Sequence, residues 1–215
     1  MGIHNCCRVF SLFILFSAFL LVPSFTNPVN SADSIPFPEG NFYFKAILDE
    51  GDATESVFTN NKAAETGNLY ICDMSLNDSD WMQMLVMQDS REVKIKHLFL
   101  KRHEFSGDFA APLVFMRMPL RKGTALVTET TFGVPSENGT VDVKVKYTST
   151  IEDVVDVEVP AGTFKNCFQI RTYLETERGS GSAIWWYSPS VGFVKILEET
   201  QPGILHLLSR YELKK

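Results

Sequence analysis

The chain has 215 residues, 45% of them hydrophobic, and a formal charge of −6. That length and apolar content suit one domain with a sizeable core. The acidic balance argues against nucleic acid and anionic membrane surfaces as partners.

In chain order, the amino terminus reads as a targeting segment. Arg8 is the only formally charged side chain in residues 1–32, and it precedes the apolar run Val9–Val22, which Pro23 ends. A basic start, a short apolar centre and a small-residue exit at Ser31-Ala32 predict a cleaved signal peptide at 1–32 and a single β-rich domain at 33–215. The apolar run is shorter than the ~20 residues of a spanning helix. No later segment is long and apolar enough to span a bilayer. Loss of Arg8 moves the charge from −6 to −7.

Beyond a proline-bearing lead-in at Ser34–Asn41, Phe42–Leu48 alternates as a first strand, and Asp49–Ala53 is turn chemistry. Glu55–Gly67 is polar, with a helical turn conceivable at Asn61–Glu65. Asn68–Met74 is a strand carrying Cys72. Trp81–Gln88 fits helical spacing through Trp81 and Leu85, and strand spacing through Met82, Met84 and Val86; the β-rich surroundings decide for a strand. In Arg91–Arg102, Val93 and Ile95 oppose Lys94 and Lys96, but Leu98 and Leu100 then fall on the lysine face. Burial is expected to change sides there.

Phe109–Leu120 leads into a turn at Pro119–Gly123, followed by strands at Thr124–Phe132 and Thr140–Thr150. Val155, Val157 and Val159 alternate with Asp156 and Glu158 up to Pro160-Ala161-Gly162, a hairpin loop in which Gly162 takes a left-handed conformation. Phe168, Ile170, Thr172 and Leu174 share one face of the returning strand. Ile184–Tyr187, Phe193–Leu197 and Gly203–Leu213 complete about ten strands. The expected fold is all-β: an antiparallel meander forming a curled half-barrel or a two-sheet sandwich.

Candidate chemistry is sparse. Cys72 and Cys167 remain after signal cleavage and are expected to bridge in an oxidising compartment, with two separate buried thiols as the alternative. A bridge closing so long a loop would stabilise by ~4–5 kcal/mol. His97 and His103, six residues apart, would lie ~20 Å apart on a strand, too far to share an ion. His206, between Ile204 and Leu208, reads as structural. Met82/Met84 and Met116/Met118 suit packing better than Cu(I).

No nucleophile elbow appears, and Asp153, Asp156, Glu198 and Glu199 read as solvated carboxylates. No catalytic residue, metal or cofactor is expected. The aromatic run Trp185-Trp186-Tyr187 supplies the ligand-binding candidates, with Trp185 and Tyr187 on one strand face and Trp186 on the other.

Val159–Phe164 reads V-P-A-G-T-F with Cys167 shortly after, Trp186–Lys195 reads W-Y-S-P-S-V-G-F-V-K, and Pro119–Gly123 reads P-L-R-K-G. Over residues 112–197 this resembles a family of exported bacterial β-rich proteins of unknown function. Ala125-Leu126 departs from the tryptophan that often follows the P-L-x-x-G turn. The resemblance implies export and a half-barrel fold, and no activity. The expected function is a non-catalytic protein, periplasmic or extracellular, that binds an apolar small molecule or an envelope partner protein. The alternative is an envelope structural or assembly protein without a small ligand. A lined cavity of several hundred Å³ would favour binding, and a filled core the structural role.

Overall fold

A computed structural model describes residues 38–48, 51, 53–63, 68–77, 79–100, 105–136, 139–177, 179–199 and 203–214. The signal peptide expected at 1–32 lies outside the described residues, as do Ala64 and Glu65; Asn61 and Lys62, where a helical turn was conceivable, belong to a strand.

Twelve strands follow one another: β1 Gly40–Leu48, β2 Ala53–Lys62, β3 Leu69–Leu76, β4 Ser79–Gln88, β5 Glu92–Leu100, β6 Phe105–Arg117, β7 Ala125–Ser136, β8 Gly139–Val159, β9 Gly162–Thr176, β10 Gly179–Ser188, β11 Gly192–Glu198 and β12 Ile204–Leu213. Each pairs antiparallel with its neighbour in sequence, and β12 returns to pair with β1 from Gly40↔Leu213 to Leu48↔Ile204. The antiparallel meander is therefore present, but the half-barrel and the sandwich are both corrected to a closed barrel. Closure pairs the two end strands and removes the edges that an open meander would leave.

One seam closes far less completely than the others. β6 and β7 pair only at Asp108↔Gly133 and Phe109↔Phe132. The Thr130 hydroxyl spans the gap next to these pairs, accepting from the Ala111 amide at 3.1 Å and donating to its carbonyl at 3.0 Å.

Alternation sets what faces inward. Phe42, Phe44 and Ala46 of β1, Met82, Met84 and Val86 of β4, and Val143, Val145 and Tyr147 of β8 are buried. Lys45, Lys144 and Lys146 between them are exposed. An apolar interior with charged side chains outside is the reverse of the arrangement in membrane-spanning barrels. Among the described residues no helix is long and apolar enough to cross a membrane.

In β5 the burial does change sides. Val93 and Ile95 are buried, and then Leu98, because a bulge shifts the register between Ile95 and His97. The extra residue turns the following side chains over. Two expectations need correction. The polar stretch after Glu55 is largely strand β2, whose inward positions Ser56, Phe58 and Asn60 hide the apolar alternation. The strands expected at Thr140–Thr150 and Val155–Val159 are one 21-residue strand, β8, with register shifts at Ile151/Asp153 and Val155/Val157.

One end of the barrel is filled. There Leu120, Phe168, Tyr187, Val191 and Phe193 are buried, and the Pro38 carbonyl accepts from Asn60 Nδ2 at 2.9 Å. The β8–β9 hairpin tip, with Gly162 at φ 131° as expected, reaches β12, where the Ala161 amide donates to the Leu208 carbonyl at 3.0 Å. A void of about 10 Å³ lies there between Phe42, Phe58 and Phe193, no more than one water needs.

Candidate functional site

The opposite end is hollow. A cavity of about 430 Å³ lies between the ends of β3–β11, within the ~300–1,000 Å³ range of small-molecule sites. Met74, Met82, Met84, Leu98, Leu113 and Phe115 form one side, and Tyr147, Thr172, Trp185, Ile196 and Glu198 the other. The rim includes Gly179 and Ser180 at the exposed start of β10. Flexible thioethers beside fixed aromatic rings make a wall that adapts to the shape of an apolar occupant.

Of the three aromatic candidates, the structure brings only Trp185 to this cavity. Its indole N–H donates to Thr172 Oγ1 at 3.0 Å, and that hydroxyl donates to the Ala183 carbonyl at 3.2 Å. Phe115 and Phe193 meet the ring edge-on, at centroid distances of 5.6 and 5.3 Å. The indole is thus held on three sides, with the cavity on the fourth. Tyr187 shares its face but sits deeper, wholly buried against Phe193 at 5.7 Å. Trp186 points outward beneath Lys195, whose Nζ lies 4.4 Å from the ring centroid. The lysine and its alkyl stem shield that ring from water.

A polar row runs inside the barrel. His206 is fully buried; its Nδ1 lies 2.9 Å from Ser56 Oγ and its Nε2 lies 3.1 Å from Glu198 Oε1. The tautomer that satisfies both contacts carries the proton on Nε2, donating to Glu198, and accepts the Ser56 hydroxyl at Nδ1. Phe44 stands edge-on to the imidazole at 6.4 Å. The carboxylate end reaches the cavity, with a side-chain exposure of 20%. Ser56 is buried and does not line the cavity, so this row does not present a nucleophile to an occupant.

Tyr147 is a second polar point in the wall. Its hydroxyl is buried beside Ser149 and Thr172, yet makes no hydrogen bond of proper geometry. Burial raises its pKa well above the ordinary phenol value. An unpaired buried hydroxyl costs ~1–3 kcal/mol relative to a satisfied one.

The expected Cys72–Cys167 bridge is not formed; both are buried free thiols. β3 and β9 stand six strands apart in either direction around the barrel, which separates their side chains far beyond the ~4 Å Cβ distance a disulfide requires. Cys72 instead donates to Asn60 Oδ1 at 3.1 Å, and Cys167 to the Phe164 carbonyl at 3.5 Å. Burial pushes the Cys167 thiol up to about 11, and Cys72 higher still.

No family model and no curated protein matches the chain. Among solved structures it is similar to the crystal structure of the hypothetical lipoprotein YmcC from Escherichia coli K12, at 8% identity and a TM-score of 0.39, over 86% of this chain and 90% of that one. The barrel described above stands on its own strand pairing.

Sequence reasoning missed Glu198, His206 with Ser56, and Tyr147 as parts of one interior. Glu198 and Glu199 are adjacent, so alternation sends one inward and one outward. The outward one, Glu199, meets Arg171 at 2.6 Å, which also holds Glu152 at 2.6 Å. The signal that identifies Glu198 is its place two residues after the inward Ile196.

Proposed function

We propose that the chain is an exported, non-catalytic binding protein that holds an apolar ligand in the open end of its barrel. The observation that supports this reading is the 430 Å³ cavity walled by Met74, Met82, Met84, Phe115 and Trp185. Nothing in a purely structural barrel requires the two ends to differ, whereas a carrier needs one hollow end. Export is supported by the basic, apolar and small-residue pattern of residues 1–32, and by the resemblance of residues 112–197 to exported proteins.

The placement of the two adjacent indoles supplies the test. The purified protein is titrated with an environment-sensitive apolar dye and with medium-chain amphiphiles while tryptophan emission is followed. Saturable quenching or a blue shift is expected in the wild type and in Trp186→Phe, and is expected to fall sharply in Trp185→Phe. A signal that survives Trp185→Phe but vanishes in Trp186→Phe would move the ligand outside the barrel. No saturable response to any ligand would leave the cavity without a binding role.

A further inference from the structure

The cavity wall is apolar on one side and carries a single ionised side chain on the other. Among the described lining residues that side chain is Glu198. It is backed by His206, which donates to Oε1 from a fully buried position, so the carboxylate is held in place in the wall. The rest of the polar lining consists of the hydroxyls of Tyr147, Thr172, Thr176, Ser180 and Ser182 and nearby backbone. Thr172 is already satisfied by Trp185 and Ala183. Tyr147, 6% exposed, has no hydrogen bond and lines the same space. A buried hydroxyl in that state marks a place where an occupant's polar atom would be stabilised.

We propose that the ligand is an apolar chain ending in a hydrogen-bond donor, a hydroxyl or an amine, which Glu198 accepts, and that chains ending in a carboxylate are rejected. This rests on the cavity being a ligand site. A fixed carboxylate in a low-dielectric wall attracts a cationic or hydroxylic donor and repels a second anion, far more strongly than it would in water. An anionic ligand headgroup placed against Glu198 would also find no cationic side chain among the described lining residues. The apolar tail occupies the methionine side, where Met74, Met82 and Met84 adapt to its path. Hydroxylic ligands gain a further contact if their oxygen reaches Tyr147, which both donates and accepts.

The experiment compares dodecylamine, dodecanol and dodecanoate, three probes with one tail and different ends, in titrations of the wild type at neutral pH below their aggregation limits. The amine and the alcohol are expected to bind at least tenfold more tightly than the carboxylate. Glu198→Gln keeps an oxygen for the His206 N–H and removes the charge. It is expected to narrow the amine-to-carboxylate ratio at least tenfold while leaving the alcohol within a few-fold. Carboxylate binding as tight as alcohol binding in the wild type would overturn the inference and leave the cavity reading standing. An unchanged ratio in a folded Glu198→Gln protein would do the same. Failure of all three probes to bind would overturn the cavity reading itself. If Glu198→Gln does not fold, the wild-type ranking alone decides.

Discussion

Gly107 and Gly133 face each other across the weakest seam of the barrel, and only the first is indispensable there. A Cβ built on Gly107 would lie 1.9 Å from the Gly133 carbonyl oxygen and 2.9 Å from the Phe132 ring. Neither contact can relax by a side-chain rotation, because one partner is backbone and the other is a fully buried ring. Gly107→Ala must therefore push β6 and β7 apart by more than an ångström at the place where their two paired positions, Asp108↔Gly133 and Phe109↔Phe132, close the barrel. Lost ladder hydrogen bonds cost ~0.5–1.5 kcal/mol each. Loosening the edge-on Phe109–Phe132 contact, at a centroid distance of 4.8 Å, adds ~0.5–1.5 kcal/mol. The expected destabilisation is about 2–4 kcal/mol. Gly133→Ala is the control, since its Cβ would meet the rotatable Thr140 Cγ2 at 2.9 Å, and it is expected to cost less than ~1 kcal/mol. Urea unfolding followed by near-ultraviolet circular dichroism measures both. A Gly107→Ala midpoint equal to that of the wild type would show that the two strands are not in contact there, and the closed barrel would revert to an open one.

Three further outcomes follow from single side chains. Tyr147→Phe removes a buried hydroxyl without a hydrogen-bond partner, so thermal stability is expected to hold or rise by up to ~1 kcal/mol, while dodecanol binding weakens; a marked loss of stability would mean the hydroxyl is already satisfied. The signal-free protein is expected to show two free thiols by mass spectrometry and neither reacting with a thiol reagent at pH 8 until unfolded, because burial raises both pKa values and suppresses the thiolate; rapid native labelling of either would contradict the interior placement. The Arg171 guanidinium lowers the Glu199 pKa in the folded state. That pair therefore stabilises above the ordinary glutamate value of ~4.3 and loses its contribution as pH falls through the lower folded value. Arg171→Gln is expected to cost under ~1 kcal/mol at pH 7, given the partial exposure of the pair, and to approach the wild type as pH falls below the lowered Glu199 value; a difference that persists once Glu199 is protonated would have another origin.

The strands with apolar residues at every second position were legible, and so was the side-switch in β5, since Leu98 and Leu100 visibly break the phase set by Val93 and Ile95. β2 was not, because its inward positions include Ser56 and Asn60, whose burial is compensated by His206, Pro38 and Cys72 contacts from distant parts of the chain. No local pattern encodes those partners. Closure was hidden for the same reason: the pairing of Gly40 with Leu213 joins opposite ends of the domain, and strand alternation is identical in an open and a closed meander. The aromatic run marked β10, whose Trp185 lines the cavity, but alternation could not say which face looks into it. Trp186, as apolar as its neighbour and equally buried, lies on the other face, beneath Lys195.

The hollow end has a compositional cause that runs along two paired strands. In barrels of about eight strands the inward side chains just fill the interior, and wider barrels must be plugged or remain hollow. This one has twelve. From the filled end, the inward positions of β9 and β10 begin with Phe168 opposite Tyr187, then Ile170 opposite Trp185 at the cavity floor. Moving toward the other end, the same inward face continues as Thr172 opposite Ala183, Leu174 opposite Gly181, and Thr176 opposite Gly179. Side-chain volume therefore falls steeply along one face of a single hairpin. The filled end also receives Leu120 from the β6–β7 connection and the β8–β9 tip that bonds to Leu208. Small residues on β9 and β10 and flexible methionines on β3 and β4 leave a space with Glu198 in its wall, and the gradient from Tyr187 to Gly179 sets its depth.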